Sequence, residues 1–179
     1  MNHVYYAVLM VLAVLENAGA SDSYVETPLG ESGITVKLPV GAVAYPGNGE
    51  INPNRKGGAV YGFHLSVDDN QAEEPLKIIV SLALPYFSGA DAQRSFLSYR
   101  TEAERHYSKR WTWSTEGRGF HMFVMKDRGL KIVRKRFFDP DSPIDLPIRE
   151  LWITYPLTQI ARGDKVLKTI ESTFKPYKK

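Results

Sequence analysis

Four strand-length segments joined by short turns fill residues 111–155, and they restrict the fold more than any other feature. Residues 111–115, 119–125, 130–138 and 149–155 are rich in aromatic and β-branched side chains. Glu116-Gly117 and Asp127-Arg128-Gly129 supply turn chemistry between the first three. Connections this short make consecutive strands antiparallel, so a meander is expected. Asp139-Pro140-Asp141-Ser142-Pro143 separates the third strand from the fourth. Upstream, Ile34-Thr35-Val36-Lys37-Leu38 alternates apolar and polar and stops at Pro39, which describes a half-buried strand. Residues 59–67 are strand-like. Residues 76–84 are apolar except for Lys77 and Ser81, as a central strand requires.

Two segments change period. Ser88-Gly89-Ala90-Asp91 offers capping residues, and a helix is predicted from there to about Lys109. Ala92, Phe96, Tyr99, Ala103 and Tyr107 fall on one face of it at 100° per residue, an amphipathic helix lying on a sheet. A closing helix is predicted with Asp164 as its cap, Val166, Leu167, Ile170 and Phe174 as its apolar stripe and Pro176 ending it. The fold class is therefore α+β: an antiparallel sheet of about six strands with a central helix and a C-terminal helix packed on it.

This order resembles the Mog1/PsbP-like domains. The residues that carry the resemblance are the early strand Gly33-Ile34-Thr35-Val36-Lys37-Leu38-Pro39, the central helix, and the closing run Asp164-Lys165-Val166-Leu167-Lys168-Thr169-Ile170-Glu171-Ser172-Thr173-Phe174-Lys175-Pro176. The resemblance implies helices packed around an antiparallel sheet, and a binding or accessory role in place of catalysis. It carries over no functional residue.

The first residues read as an address. An apolar run of twelve residues, 4–15, is too short to span a bilayer, which takes about 20. Ala18-Gly19-Ala20 follows it, small residues at the two positions a signal peptidase reads. Cleavage after Ala20 is expected, leaving residues 21–179 as a single α+β domain in the periplasm or outside the cell. No Lys or Arg precedes the apolar run, a departure from the usual signal-peptide layout. The chain has no Cys, so neither a disulfide nor a lipidated N-terminal Cys is available to it.

Charge is unevenly distributed. Residues 21–92 hold nine acids and four bases, a net of −5, whereas residues 93–179 hold ten acids and nineteen bases, a net of +9. A basic half points to an acidic partner surface or to halves that neutralise each other on folding. Lys131, Arg134, Lys135 and Arg136 form the densest cluster, with Lys131 and Lys135 predicted on one side of their strand and Arg134 and Arg136 on the other. Edge-strand charges that discourage aggregation are the expected role. An exported address argues against a nucleic-acid partner.

No metalloprotease, nucleophile-elbow or phosphate-loop pattern is present. His64 and His121 occupy twin stretches, Gly62-Phe63-His64 and Gly119-Phe120-His121, and would form a metal or acid–base pair only if their strands were neighbours. Asp139, Asp141 and Asp145 look like a cation loop, but the sixth position from Asp139 is Ile144 where a Ca²⁺ loop needs Gly. No cofactor is expected. Tyr45, Tyr61, Tyr86 and Trp152 are expected to add an exposed aromatic surface.

These readings converge on a non-catalytic periplasmic protein-binding domain, an immunity-type inhibitor that neutralises a secreted antibacterial toxin. The alternative is a periplasmic small-ligand or lipid-binding accessory module. The expected contacts with a protein partner lie on two loops: Tyr45, Asn48, Asn52, Asn54 and Arg55 on one, and Asp139, Asp141 and Asp145 on the other.

Overall fold

A computed structural model describes residues 23–46, 59–67, 76–85, 89–107, 112–116, 119–140 and 147–174. In chain order the elements are strands β1 (Tyr24–Pro28), β2 (Thr35–Pro39), β3 (Val43–Ala44), β4 (Ala59–Val67) and β5 (Leu76–Leu84), helix α1 (Gly89–Tyr107), strands β6 (Thr112–Glu116), β7 (Gly119–Asp127), β8 (Leu130–Phe138) and β9 (Ile148–Pro156), and helix α2 (Ile160–Phe174). Among the described residues, seven strands form one antiparallel sheet in the order β3-β4-β5-β9-β8-β7-β6, and β1 and β2 form a separate ribbon. The expected architecture is present, with β1 and β3 as strands that the sequence pattern did not announce.

The meander follows from its turns. Asp127 pairs with Leu130, leaving only Arg128 and Gly129 to reverse the chain between β7 and β8. Both have positive φ, 49° and 76°, the conformation a two-residue hairpin turn demands and that Gly supplies at little strain.

One face of the main sheet is sealed. Tyr61, Phe63 and Leu65 of β4, Ile78, Val80, Leu82 and Leu84 of β5, Val133 and Phe137 of β8, and Leu151, Ile153 and Tyr155 of β9 point into a common core. Val166, Leu167, Ile170 and Phe174 of α2 cover it, with Val36 and Leu38 from β2 beside them. Each such side chain contributes about 1.5–3 kcal/mol of burial before entropy is subtracted. Tyr61 belongs to this core at 7% exposure, not to an exposed aromatic surface, because positions 61, 63 and 65 share the inward side of a period-two strand.

Charges anchor α2 at several points. Lys131 donates to Asp164 at 2.8 Å, Lys135 donates to Glu171, and Arg149 Nη1 donates to the C=O of Phe174 in the last turn. The backbone N–H of Lys37 donates to Thr173 Oγ1, which ties the ribbon to the helix. Asp164 is not the helix cap. A 3₁₀ turn, Leu157–Gln159, leads straight from β9 into α2, so the helix starts at Ile160 and Asp164 sits inside it, bonded to Lys131 and Tyr155.

The opposite face is covered in part. Ala92 and Phe96 of α1 pack on Ile148, with Tyr99 and Phe138 against them, and the Phe96 and Phe138 rings stack 5.5 Å apart. Ala92, Phe96, Tyr99 and Ala103 are the predicted inner stripe of this helix, and Ala92, Phe96 and Ala103 are each less than a tenth exposed. Tyr107's side chain lies outside the described residues.

Candidate functional site

The part of the sheet that α1 leaves open carries a row of side chains across four strands. Gly62 of β4 is registered with Ser81 of β5, Ser81 with Trp152 of β9, and Trp152 with Arg134 of β8. Tyr45 extends the row, since its backbone N–H donates to the C=O of Gly62 at 2.9 Å. The missing side chain of Gly62 makes room for the Tyr45 ring, which a Cβ there would meet at 3.0 Å. Tyr45 also packs on the His64 ring, 4.9 Å between centroids. Ser81, small and polar, lies between the two aromatic groups. Ile79 borders them, and Tyr45, Ile79 and Trp152 are 37%, 39% and 40% exposed. Large apolar groups gathered this way on a sheet face mark a contact surface more often than isolated ones do.

Beside Trp152 the row turns ionic. The Arg134 guanidinium lies 5.2 Å from the Trp152 ring and 4.9 Å from the Tyr99 ring, so two aromatic groups hold it. Arg136, 3.8 Å from the Tyr99 ring, sits deeper. Both arginines reach the same carboxylate: Arg134 donates to one Glu150 oxygen at 3.0 Å and Arg136 pairs with the other. Burial pushes the Glu150 carboxyl up, but the Arg136 and Arg134 charges outweigh it and hold the group below the ordinary carboxylate range. Burial pulls Arg136 below its ordinary value, since half a carboxylate returns less than desolvation removes.

The parity expected for the basic cluster is present: Lys131 and Lys135 face α2, and Arg134 and Arg136 face α1. Its expected role is not. The strand is interior, between β7 and β9, and its charges are paired with acids instead of guarding an edge. Non-consecutive pairing of β5 with β9 closes the sheet around it, which turn chemistry does not disclose.

Of the expected contact residues, Tyr45 stands at the rim of the open face and Asp139 at the end of β8. The Asp139 N–H donates to the C=O of Pro147 and closes the base of its loop. Asn48, Asn52, Asn54, Arg55, Asp141, Asp145 and Tyr86 lie outside the described residues. The condition for a histidine pair is not met. His64 is on β4 and His121 on β7, with β5, β9 and β8 between them, about 19 Å across the sheet. His121's side chain lies outside the described residues, and among those described no group of three metal-ligating side chains occurs. Ile79 and Ser81 were missed by sequence reasoning. A strand apolar except for Ser81 and Lys77 gives no sign that Ile79 on its outer face stays exposed.

Two carboxyl groups set an expected pH response. Desolvation pushes Asp164 up, but hydrogen bonds from Lys131 and Tyr155 outweigh it and hold it below its ordinary value, as Glu150 is held. Groups depressed on folding contribute stability above their unfolded values, about 4, and lose it as pH falls through the folded ones. Tyr155 has the opposite sign: burial and then Asp164 raise it, so its contribution is intact below about pH 10 and lost above. Urea midpoints are expected to be flat from about pH 5 to 9 and to fall on either side. A midpoint at pH 3 equal to that at pH 7 would contradict the assigned carboxylate pairs.

The chain matches no protein-family model. No curated protein matches it. Among solved structures it is similar to the 1.9 Å crystal structure of the Saccharomyces cerevisiae Ran-binding protein Mog1p, with 16% identity, a TM-score of 0.45, and coverage of 86% of this chain and 95% of that chain.

Proposed function

We propose that this chain is a non-catalytic protein-binding domain whose contact face is the part of its main sheet around Tyr45, Ile79 and Trp152, beside helix α1. The observation that carries this reading is the row of Tyr45, Ile79, Trp152 and Arg134, exposed aromatic and aliphatic groups next to an aromatically held guanidinium. Tyr, Trp and Arg are the groups that dominate binding energy in protein interfaces. Among the described residues, no helix is long and apolar enough to cross a membrane.

Within that class we propose an immunity-type inhibitor, exported after cleavage behind Ala20, that occupies the active-site region of a secreted antibacterial toxin. The short apolar run with Ala18-Gly19-Ala20 and the lack of a catalytic motif support this finer reading. Residues 41–58 and 139–147, the contact segments expected from the sequence, are proposed as further parts of an interface whose standard size is about 1,600 Å².

The test is affinity capture with the tagged exported chain, identification by mass spectrometry, and reconstitution with the captured enzyme. A 1:1 complex that abolishes the enzyme's activity is expected. Trp152→Ala should weaken it about 30-fold or more, as an interface hot spot does. Because the ring is only 40% exposed and covers the Arg134 guanidinium, the variant should also lower the thermal midpoint, and binding is compared at a temperature where unfolding curves show both proteins fully folded. A complex indifferent to both Trp152→Ala and Tyr45→Ala would remove the face from the proposal. A co-purifying small molecule that raises the melting temperature, with no protein bound, would favour a ligand-binding module instead.

A further inference from the structure

We propose that Arg134 is a receptor for a carboxylate of the protein partner, so that the open face takes an acidic segment flanked by apolar groups. This inference rests on the protein-binding reading and specifies the chemistry of the partner.

The first ground is a local imbalance of charge. Among the described residues Arg134 and Arg136 share one acid, and both oxygens of Glu150 are already engaged. On the opposite face the same strand's lysines are matched one to one, Lys131 by Asp164 and Lys135 by Glu171. Arg134 Nε, Arg136 Nε and Arg136 Nη1 are buried with no hydrogen-bond partner among the described residues. These nitrogens are sealed from solvent and no incoming group reaches them, but they show that one carboxylate under-matches two guanidiniums of five N–H donors each, so a second anion is accommodated through the exposed part of Arg134.

Position selects the arginine. The Arg136 side chain is 7% exposed and Arg134 is 19% exposed. Arg134 is therefore the group an incoming anion reaches, and Arg136 adds charge from behind. Tyr99 and Trp152 restrict the plane of the Arg134 guanidinium, which lowers the entropy lost when it grips a ligand. A fixed planar fork matches the two oxygens of a carboxylate.

The surroundings select the source of that carboxylate. Nucleic acids and polyanions are held by a track of cations. Along this row Tyr45, Gly62, Ser81, Trp152 and Arg134 supply one cation among aromatic and small groups. That mixture fits a protein segment in which Asp or Glu stands beside apolar side chains. The basic excess of residues 93–179 draws such a segment in at longer range.

A random peptide library selected on the intact chain tests the inference. The expected winners carry Asp or Glu next to an aromatic or aliphatic residue. Their affinity should fall about tenfold to a hundredfold on acid-to-amide substitution in the peptide and on Arg134→Gln in the chain. These two losses should not add, since they remove one interaction. Arg134→Lys keeps a charge for Glu150 but loses the fork, so it should bind weakly even if Arg134→Gln fails to fold. Inorganic phosphate should compete no better than chloride at equal ionic strength.

Peptides that need Trp152 but show no acidic preference and ignore both arginine variants would overturn the carboxylate assignment and leave the binding face standing. Strong competition by phosphate would also overturn it. Recovery of no peptide sensitive to Trp152→Ala would count against the face itself, and the assignment would fall with it.

Discussion

Glu150→Gln is expected to destabilise the folded chain by about 3–5 kcal/mol, the range for removing one partner of a buried ion pair. Glu150 is 11% exposed at its side chain and faces two guanidiniums, Arg136 directly across the strand pair and Arg134 diagonally. An amide keeps the shape but offers one acceptor where two are used. It also turns an N–H₂ toward an arginine and leaves two like charges with no counter-charge. Folding stabilities are commonly 5–15 kcal/mol, so this one atom exchange removes a large share. A fall in melting temperature of about 6–20 °C follows for a domain of this size. Glu150→Leu combined with Arg136→Met should be milder than Glu150→Leu alone, because the deeper buried charge leaves with its partner. Thermal and urea unfolding of the four proteins measure this. A loss under about 1 kcal/mol for Glu150→Gln would show that water, not Glu150, neutralises the arginines.

Gly163→Ala should reverse the usual sign of a helix substitution. Ala exceeds Gly by about 1 kcal/mol in helix interiors, so propensity alone predicts a gain. Here a Cβ would stand 2.2 Å from Tyr155 Cδ2, 2.4 Å from Cγ and 2.6 Å from Cε2. The ring cannot retreat: Tyr155 is fully buried, its hydroxyl donates to Asp164, and the Lys131 ammonium lies 5.5 Å from its centroid. Helix α2 must then move away from β9, loosening Val166, Leu167 and Ile170 as well. Overpacking of this kind costs about 1–3 kcal/mol and more where backbone has to shift. About 3 kcal/mol is expected, read as a lower urea midpoint at unchanged slope. Tyr155→Leu in the Gly163→Ala background should recover part of the loss, although it forfeits the bond to Asp164. Equal or higher stability of Gly163→Ala would mean that α2 does not approach β9 this closely.

Much of the fold was readable because it depends on neighbours in sequence. The Arg128-Gly129 reversal and the short Glu116-Gly117 connection forced an antiparallel meander, and the spacing of Ala92, Phe96, Tyr99 and Ala103 set the inner face of α1. The candidate site was readable only in pieces. Trp152 and Arg134 were visible as an aromatic and a member of a basic run, 18 residues apart with nothing in the spacing to join them. Ser81 was indistinguishable from a polar interruption of a buried strand. The loops expected to make contact were recognised by composition, which marks where chain turns but not which surface it borders.

Sequence alone determined which side of its strand each charge takes. Lys131 and Lys135 had to oppose Arg134 and Arg136, because a strand's side chains alternate by backbone geometry whatever surrounds them. Tertiary structure decided what those sides meet. Insertion of β9 between β5 and β8 made the basic strand interior, brought Glu150 between two arginines, and placed Trp152 beside Arg134. It also buried Tyr61, drew Asp164 inside a helix as the partner of Lys131 and Tyr155, and made Gly163 a point of contact. Strand order has no local code. It is settled by which arrangement buries the most apolar surface while leaving the fewest charges unmatched, a sum taken over residues far apart in the chain.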